Sequence, residues 1–200
     1  MRVGLLFGSF NPLHVGHLLI ADYVLDFYDV HEVWLVLSPQ NPLKDSTLLV
    51  SDEDRAEMIR LALDEASPAI KLCEVELSMP RPSYTIDTMR RLSEIHPDHE
   101  FVIMLGSDCL DTLPKWKEYN TLISQWDFYI YPRSTHAYTT PMPSPRFTLV
   151  DAPIFSISST QIRQYIAKGG NAQGYMPSDE WVYIKRNRIY RIPKKKPNAK

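Results

Sequence analysis

The sequence has few cysteines and no long apolar run, and both shortages exclude whole classes of protein. Cys73 and Cys109 lie far apart and form neither a C-x-x-C pair nor a Cys/His cluster. This pattern excludes a disulfide framework and a structural zinc site, and it predicts buried free thiols. No apolar stretch approaches the roughly 20 residues that span a bilayer, and Met1–Phe7 is too short for a signal peptide. We therefore predict a cytoplasmic protein with no membrane segment.

Glycine is also scarce, and the usual glycine-rich phosphate motifs are missing. The 200 residues include seven glycines, with neither a G-x-G-x-x-G fingerprint nor a Walker A sequence ending in Gly-Lys-Ser/Thr. A Ser-His-Asp or Cys-His arrangement typical of nucleophilic catalysis is absent as well. Any phosphate chemistry must therefore rest on another type of site.

The two charge signs are distributed unevenly along the chain. Residues 185–200 hold eight Lys/Arg and no acid, which leaves 14 basic against 24 acidic residues in 1–184. Because the overall field of this body does not attract anions, an anionic substrate must be held by a few placed cations and backbone amides. We predict that 191–200 form a disordered basic tail, with no nucleic-acid partner.

The hydrophobic pattern alternates between strand-length apolar runs and segments with helical spacing. Strands are predicted at 3–8, 32–37, 70–77, 101–106 and 128–131, and helices at 15–28, from 51, at 84–95, at 115–125, from 158 and at about 178–186. This alternation predicts a doubly wound, Rossmann-like α/β fold with a parallel sheet of about five strands. We expect a single domain over 1–190, with a small C-terminal helical extension at about 157–190.

The most informative segment joins the first predicted strand to the first helix and reads Gly8-Ser9-Phe10-Asn11-Pro12-Leu13-His14-Val15-Gly16-His17. Parallel α/β sheets bind ligands at such junctions, and a helix N-terminus attracts phosphate. His14 and His17 project from one face of the helix start and are suited to stabilising phosphate oxygens in a transition state. The residues alone also allow core or surface histidines, a general-base pair, or zinc ligands, although no third ligand follows at suitable spacing.

Two motifs taken together point to a known superfamily. The segment His14–His17 resembles the (T/H)xGH signature of the nucleotidyltransferases, and Ile157–Arg163 resembles their second signature, ISSTxIR. Further stretches resemble one member family, nicotinate-nucleotide adenylyltransferase. These stretches are Ser83–Thr88, Leu105–Asp108, Leu113–Lys117, Trp181–Ile184 and Ile189-Tyr190. The resemblance runs in order over about 2–190, although Asn11 stands where many members carry Asp.

The resemblance implies a role for each residue that matches a motif. The implied contacts to the ATP phosphates are the backbone of Gly8, Ser9 and Phe10, the side chains of His14 and His17, the residues Ser159, Thr160 and Arg163, and the cation Lys44. Of these, His14, His17, Lys44 and Arg163 are the implied catalytic residues. Gly106 and Asp108 are expected at the adenosine ribose, and Tyr84, Thr85 and Trp116 in a pocket for the pyridine ring of the acceptor.

The activity implied by this resemblance is transfer of the adenylyl group of ATP to nicotinate mononucleotide in NAD biosynthesis. Mg²⁺ is expected to accompany ATP, and no metal site is expected in the protein itself. Three alternatives stay open: phosphopantetheine or the amide mononucleotide as acceptor, a nucleotide-binding protein without turnover, and an RNA-associated protein that shares the histidine motif. A homo-oligomer is compatible with the sequence.

Overall fold

Six strands form one sheet, and every neighbouring pair in it is parallel. The computed structural model describes residues 1–40, 49–133 and 144–191. The strands are β1 Arg2–Gly8, β2 Glu32–Leu37, β3 Ile70–Cys73, β4 Glu100–Gly106, β5 Asp127–Tyr131 and β6 Phe147–Leu149. Their order is β3-β2-β1-β4-β5-β6. From β1 the chain adds β2 and β3 on one side, and then returns to add β4, β5 and β6 on the other side. Parallel sheets bind ligands beyond the carboxyl ends of the strands at such a switch point.

Helices connect the strands and cover both faces of the sheet. They are α1 Val15–Phe27, α2 Asp52–Leu63, α3 Thr85–Ile95, α4 Tyr119–Gln125, α5 Ser159–Ala167 and α6 Ser178–Arg186. Hydroxyl groups cap two of them. The Asp54 amide donates to Ser51 Oγ at 3.1 Å, and the Gln161 amide donates to Ser158 Oγ at 3.3 Å. These caps satisfy amides that the first helical turn leaves without partners.

Alternate strand residues build a separate apolar core on each face of the sheet. Leu6 and Leu35 pack with α1 and α2 on one face, whereas Leu5 and Ile103 pack with α3 on the other. A third cluster joins the C-terminal helices to the body, because Met58 of α2 packs with residues of α5 and α6. The C-terminal helices are thereby fixed beside the end of β1.

The predicted α/β fold is confirmed, but several predicted boundaries were wrong. The third strand ends at Cys73 and is followed by a 3-10 turn at Val75–Ser78, and the predicted helix at 115–125 starts only at Tyr119. Glu118 immediately before it has a φ of 51°, a left-handed conformation that interrupts a helix. The sixth strand was missed because three residues are too few to show a period.

Two further expectations concern thiols and membrane segments. Cys73 is a buried free thiol, as predicted, whereas Cys109 is only partly buried. Among the described residues, no helix is both long enough and apolar enough to cross a bilayer.

Candidate active site

The loop between β1 and α1 is the centre of the site. Gly8 ends β1, and Phe10 follows with a φ of 41° and is only 2% exposed as a whole residue. Gly16 allows the close approach of His14, because a Cβ at this position would lie only 3.1 Å from His14 Nδ1.

The two histidines of this loop stack on each other. Their ring centroids are 3.7 Å apart with planes inclined by 25°, and the His14 amide donates to His17 Nδ1 at 3.3 Å. The edge of the Phe10 ring packs against His17 at 5.1 Å. His14 is 2% exposed, whereas His17 is partly exposed at the start of α1. The spacing thus brings both rings to one face, as predicted.

His14 is held in its neutral form by its surroundings. Burial and, to a smaller extent, the nearby positive charge of Arg133 lower its pKa from 6.5 to about 3. Both ring nitrogens lack a hydrogen-bond partner among the described residues. His14 is therefore able to form a hydrogen bond to a ligand at neutral pH, but it does not contribute a positive charge.

The neutral state of His14 makes stability depend on pH. In the unfolded chain an ordinary histidine binds a proton below pH 6.5, whereas folded His14 resists protonation until about pH 3. The stability from this difference is complete above pH 6.5 and is lost as pH falls, at about 1.4 kcal/mol per pH unit. We expect His14→Gln to remove this part of the pH dependence.

Urea unfolding of both proteins between pH 7 and pH 5 tests this expectation. The difference in unfolding free energy between wild type and His14→Gln should shrink by about 2 kcal/mol over that range. The titration of the carboxyl groups affects both proteins equally, so its contribution cancels in this difference. A constant difference would show that His14 titrates normally in the folded protein.

The second motif, at the start of α5, docks onto the same loop. Ser159 Oγ donates to the Pro12 carbonyl at 2.8 Å, and Arg163 Nη1 donates to the Asn11 carbonyl at 2.8 Å. Arg163 Nη2 also donates to Thr160 Oγ1 at 3.2 Å. Two segments that are far apart in sequence therefore form one cluster, in which Ser159 and Arg163 lie against the β1–α1 loop.

The carboxyl ends of β1 and β4 open into a cavity of about 460 Å³. Residues predicted for three different contacts line it together: Gly8 and Ser9 for phosphate, Gly106 and Asp108 for ribose, and Tyr84, Thr85 and Trp116 for the acceptor. His14 and His17 line a small adjoining pocket, and Arg133 borders both spaces. The structure therefore gathers most of the predicted site in one region.

The acceptor side of this cavity favours an anion. The helix α3 begins at Thr85 on the cavity wall, and the first amides of a helix carry partial positive charge. Lys115, Lys117 and Arg133 also line the cavity. Lys117 Nζ is paired with Asp87 at 2.8 Å and lies 5.0 Å above the Tyr84 ring.

Arg133 and Glu76 are charged residues of the cavity wall that lie in none of the sequence motifs. Arg133 follows the end of β5, and its amide donates to Ser107 Oγ at 2.9 Å. Its position just beyond the carboxyl end of a parallel strand was the one signal in the sequence that could have pointed to a role in the site. Glu76 is buried in the 3-10 turn after β3, where Thr88 Oγ1 donates to Glu76 Oε1 at 2.7 Å. Burial raises the pKa of this carboxyl. The apolar pattern predicts a strand for its segment, which hides this position in the turn.

Some predicted features cannot be placed in this site. Lys44 and the tail beyond Arg191 lie outside the described residues. Thr160 is exposed on α5 and contacts Arg163 rather than the cavity wall. Within the described ranges, no group of three or more His, Cys, Asp or Glu is arranged to hold a metal ion.

Comparison with known proteins places this geometry in a family. A family model described as cytidylyltransferase-like matches residues 5–165. The "Probable nicotinate-nucleotide adenylyltransferase" of Flavobacterium johnsoniae is 42% identical and covers 96% of this chain and 100% of that relative. A relative of the same name from Cytophaga hutchinsonii is 39% identical over 95% of this chain and 98% of its own length.

Solved structures show the same fold. The Plasmodium falciparum nicotinic acid mononucleotide adenylyltransferase, in its complex with NaAD, superposes with a TM-score of 0.79 at 23% identity. The match covers 94% of this chain and 97% of the other. Because relatives of this name are 39–42% identical over nearly the entire chain, and the family model spans both docked motifs, the protein belongs to the nicotinate-nucleotide adenylyltransferase family.

Proposed function

We propose that the protein transfers the adenylyl group of ATP to nicotinate mononucleotide, yielding nicotinate adenine dinucleotide and pyrophosphate. The cavity at the ends of β1 and β4 is the observation that supports this most strongly. The cavity joins the backbone of the loop between β1 and α1, called the phosphate loop below, to a pocket with an indole, a helix N-terminus and several cations. Both substrates are anionic, and each needs such a surface.

The chemistry requires alignment and charge stabilisation rather than a protein nucleophile. An oxygen of the acceptor's 5′-phosphate attacks the α-phosphorus of ATP, and the bond from that phosphorus to the pyrophosphate oxygen breaks. The attacking oxygen is already anionic at neutral pH, so no general base is needed. This accounts for a site whose prominent groups are hydrogen-bond donors.

The residues of the loop and Arg163 of α5 contribute to this transfer in different ways. The amides around Ser9 and the partly exposed His17 donate to phosphate oxygens as their negative charge grows. Neutral His14 packs against His17 and fixes the orientation of its ring. Arg163 stands at the start of α5 to meet the leaving phosphates. Mg²⁺ bound to ATP would neutralise part of the phosphate charge. The role of Lys44 beside these phosphates stays a prediction.

The acceptor experiment tests the proposal directly. With ATP fixed, we expect turnover of nicotinate mononucleotide to exceed that of the amide mononucleotide by at least about tenfold in kcat/KM. The reason is that the amides of α3 and the neighbouring cations stabilise a carboxylate more than a neutral amide. Phosphopantetheine has no ring to stack on Trp116, and we expect no turnover.

Pyrophosphate release and dinucleotide formation measure these rates. Equal rates with acid and amide would make the enzyme dual-specific, and faster turnover of phosphopantetheine would overturn the substrate assignment. ATP binding without pyrophosphate release would indicate a nucleotide-binding protein without turnover. Salt-sensitive RNA retention that is lost on deleting 191–200 would favour the RNA-associated alternative.

Replacing Trp116 tests the acceptor pocket separately from the nucleotide site. Trp116→Ala removes the stacking surface, and we expect the KM of the acceptor to rise about tenfold. The KM of ATP should stay within about twofold of wild type, since the indole lies on the acceptor side. Steady-state kinetics with each substrate varied in turn give both values.

Trp126→Ala is the matched control for this variant. Trp126 packs against the same apolar core as Trp116 but does not line the cavity. We expect it to lower stability without changing either KM. An equal rise of both KM values in Trp116→Ala would assign Trp116 to the core rather than to the acceptor.

A further inference from the structure

A fully buried arginine lies directly behind the phosphate loop. Arg55 of α2 has no exposed surface, and its guanidinium donates to backbone carbonyls from three segments. Nη1 donates to Ser9 at 2.7 Å and to Ser38 at 2.8 Å, and Nε donates to Val50 at 3.1 Å. The same group pairs with Asp52. One side chain thereby ties the end of β1 to the end of β2.

Burial of a charged side chain is costly, so stability alone explains this arrangement poorly. Well-packed apolar residues in place of a buried ion pair are often neutral or stabilising. What an apolar side chain cannot do is hold several carbonyl oxygens at fixed positions. The planar fork of arginine is suited to that task, because its donors have a rigid geometry.

The bond to Ser9 fixes the direction of the next amide. The cis peptide bonds of the described chain are Asn11-Pro12 and Arg81-Pro82, so the peptide between Ser9 and Phe10 is trans. In a trans peptide, the carbonyl and the following N–H point in opposite directions. The Ser9 carbonyl points inward to Arg55, and the Phe10 N–H must therefore point to the opposite side of the loop.

Phe10 needs such a restraint because its conformation is unfavourable. Its φ of 41° lies in the left-handed region, which a non-glycine residue adopts only when the surrounding structure enforces it. Successive amides around a left-handed residue form a concave site for anions. No hydrogen bond joins the Phe10 amide to another described residue, and Ser9 beside it lines the cavity.

We infer that Arg55 is a positioning residue for adenylyl transfer, which holds the Ser9–Phe10 peptide so that the Phe10 amide points at the phosphates of ATP. This inference rests on the proposed function, because it takes ATP as the ligand of the amide. Arg55 itself touches no substrate. Its effect reaches the phosphates through one peptide plane.

Kinetics of Arg55→Lys test this role. A lysine keeps the charge but has no fork to bridge the Ser9 and Ser38 carbonyls. We expect kcat to fall about 10- to 100-fold while the KM of the acceptor stays within about threefold, because the lost alignment acts on the transition state. Asp52→Asn keeps Arg55 but removes the charge of its ion-pair partner. This variant should show the same pattern with a smaller fall in kcat.

Met58→Ala is the control for a purely structural effect. Met58 lies one turn further along α2 and is equally buried, but it packs against the C-terminal helices. We expect a lower melting temperature and an unchanged kcat at 25 °C. If Arg55→Lys is folded and keeps the wild-type kcat, as Met58→Ala is expected to do, Arg55 is only structural and the inference is wrong.

An NMR measurement separates this inference from the proposed function. On addition of a non-hydrolysable ATP analogue, the wild-type Phe10 amide resonance should shift, and the shift should be strongly reduced in Arg55→Lys or Asp52→Asn. An equal shift in wild type and variants would overturn the inference even if dinucleotide synthesis is fully confirmed. A wild type that forms no dinucleotide while its Phe10 amide responds to the analogue would refute the proposed function alone.

Discussion

His17→Ala is expected to lower kcat by about 10²-fold or more, the range for losing one donor to a transition-state oxygen. The ring is fixed at the start of α1 by stacking on His14 at 3.7 Å and by contact with Phe10 at 5.1 Å. A donor held in this way needs no reorganisation when charge develops on the phosphate. The binding of both substrates should change little, because the interaction strengthens only in the transition state.

Single-turnover and steady-state rates with saturating substrates measure this effect. His17→Gln, whose amide also donates a hydrogen bond, should retain more activity than His17→Ala if donation is the main contribution. His31→Ala changes an exposed histidine just before β2, at the amino-terminal ends of the strands and away from the cavity, and should leave kcat unchanged. An unchanged kcat in His17→Ala would remove His17 from the mechanism.

Arg163→Ala is expected to lower kcat/KM for ATP by roughly 10- to 150-fold, because a hydrogen bond to a charged group contributes about 1.5–3 kcal/mol. The guanidinium is anchored by its bond to the Asn11 carbonyl, which places its charge beside the loop that carries both histidines. Loss of the side chain removes both a phosphate contact and a support of the loop.

A conservative replacement separates these two contributions. Arg163→Lys keeps the charge without the planar fork, so it should recover part of the ATP affinity but not the melting temperature. Gln164→Ala, at the exposed neighbouring position, is the control and should match wild type. Full activity of Arg163→Ala would mean that the second motif only holds α5 against the loop.

Local sequence patterns determined the elements and the position of the loop. The period of apolar residues gave the alternation of strands and helices, and the hydroxyl groups of Ser51 and Ser158 marked two helix starts. The three-residue spacing of His14 and His17 placed both rings on one helix face. These features depend on neighbours within one or two turns, so they can be derived from the sequence alone. The short β6 and the 3-10 turns could not, because they are shorter than a full period.

Resemblance to the family supplied the substrate and most residues of the candidate site, but their arrangement came from the tertiary structure. Only the docking of α5 on the β1–α1 loop brings Arg163 to the Asn11 carbonyl. Only burial beside Arg133 keeps His14 neutral well below pH 6.5, and only packing behind the loop gives Arg55 its contact with Ser9. Each of these properties depends on groups that are distant in sequence, and long-range contacts leave no periodic trace in the chain.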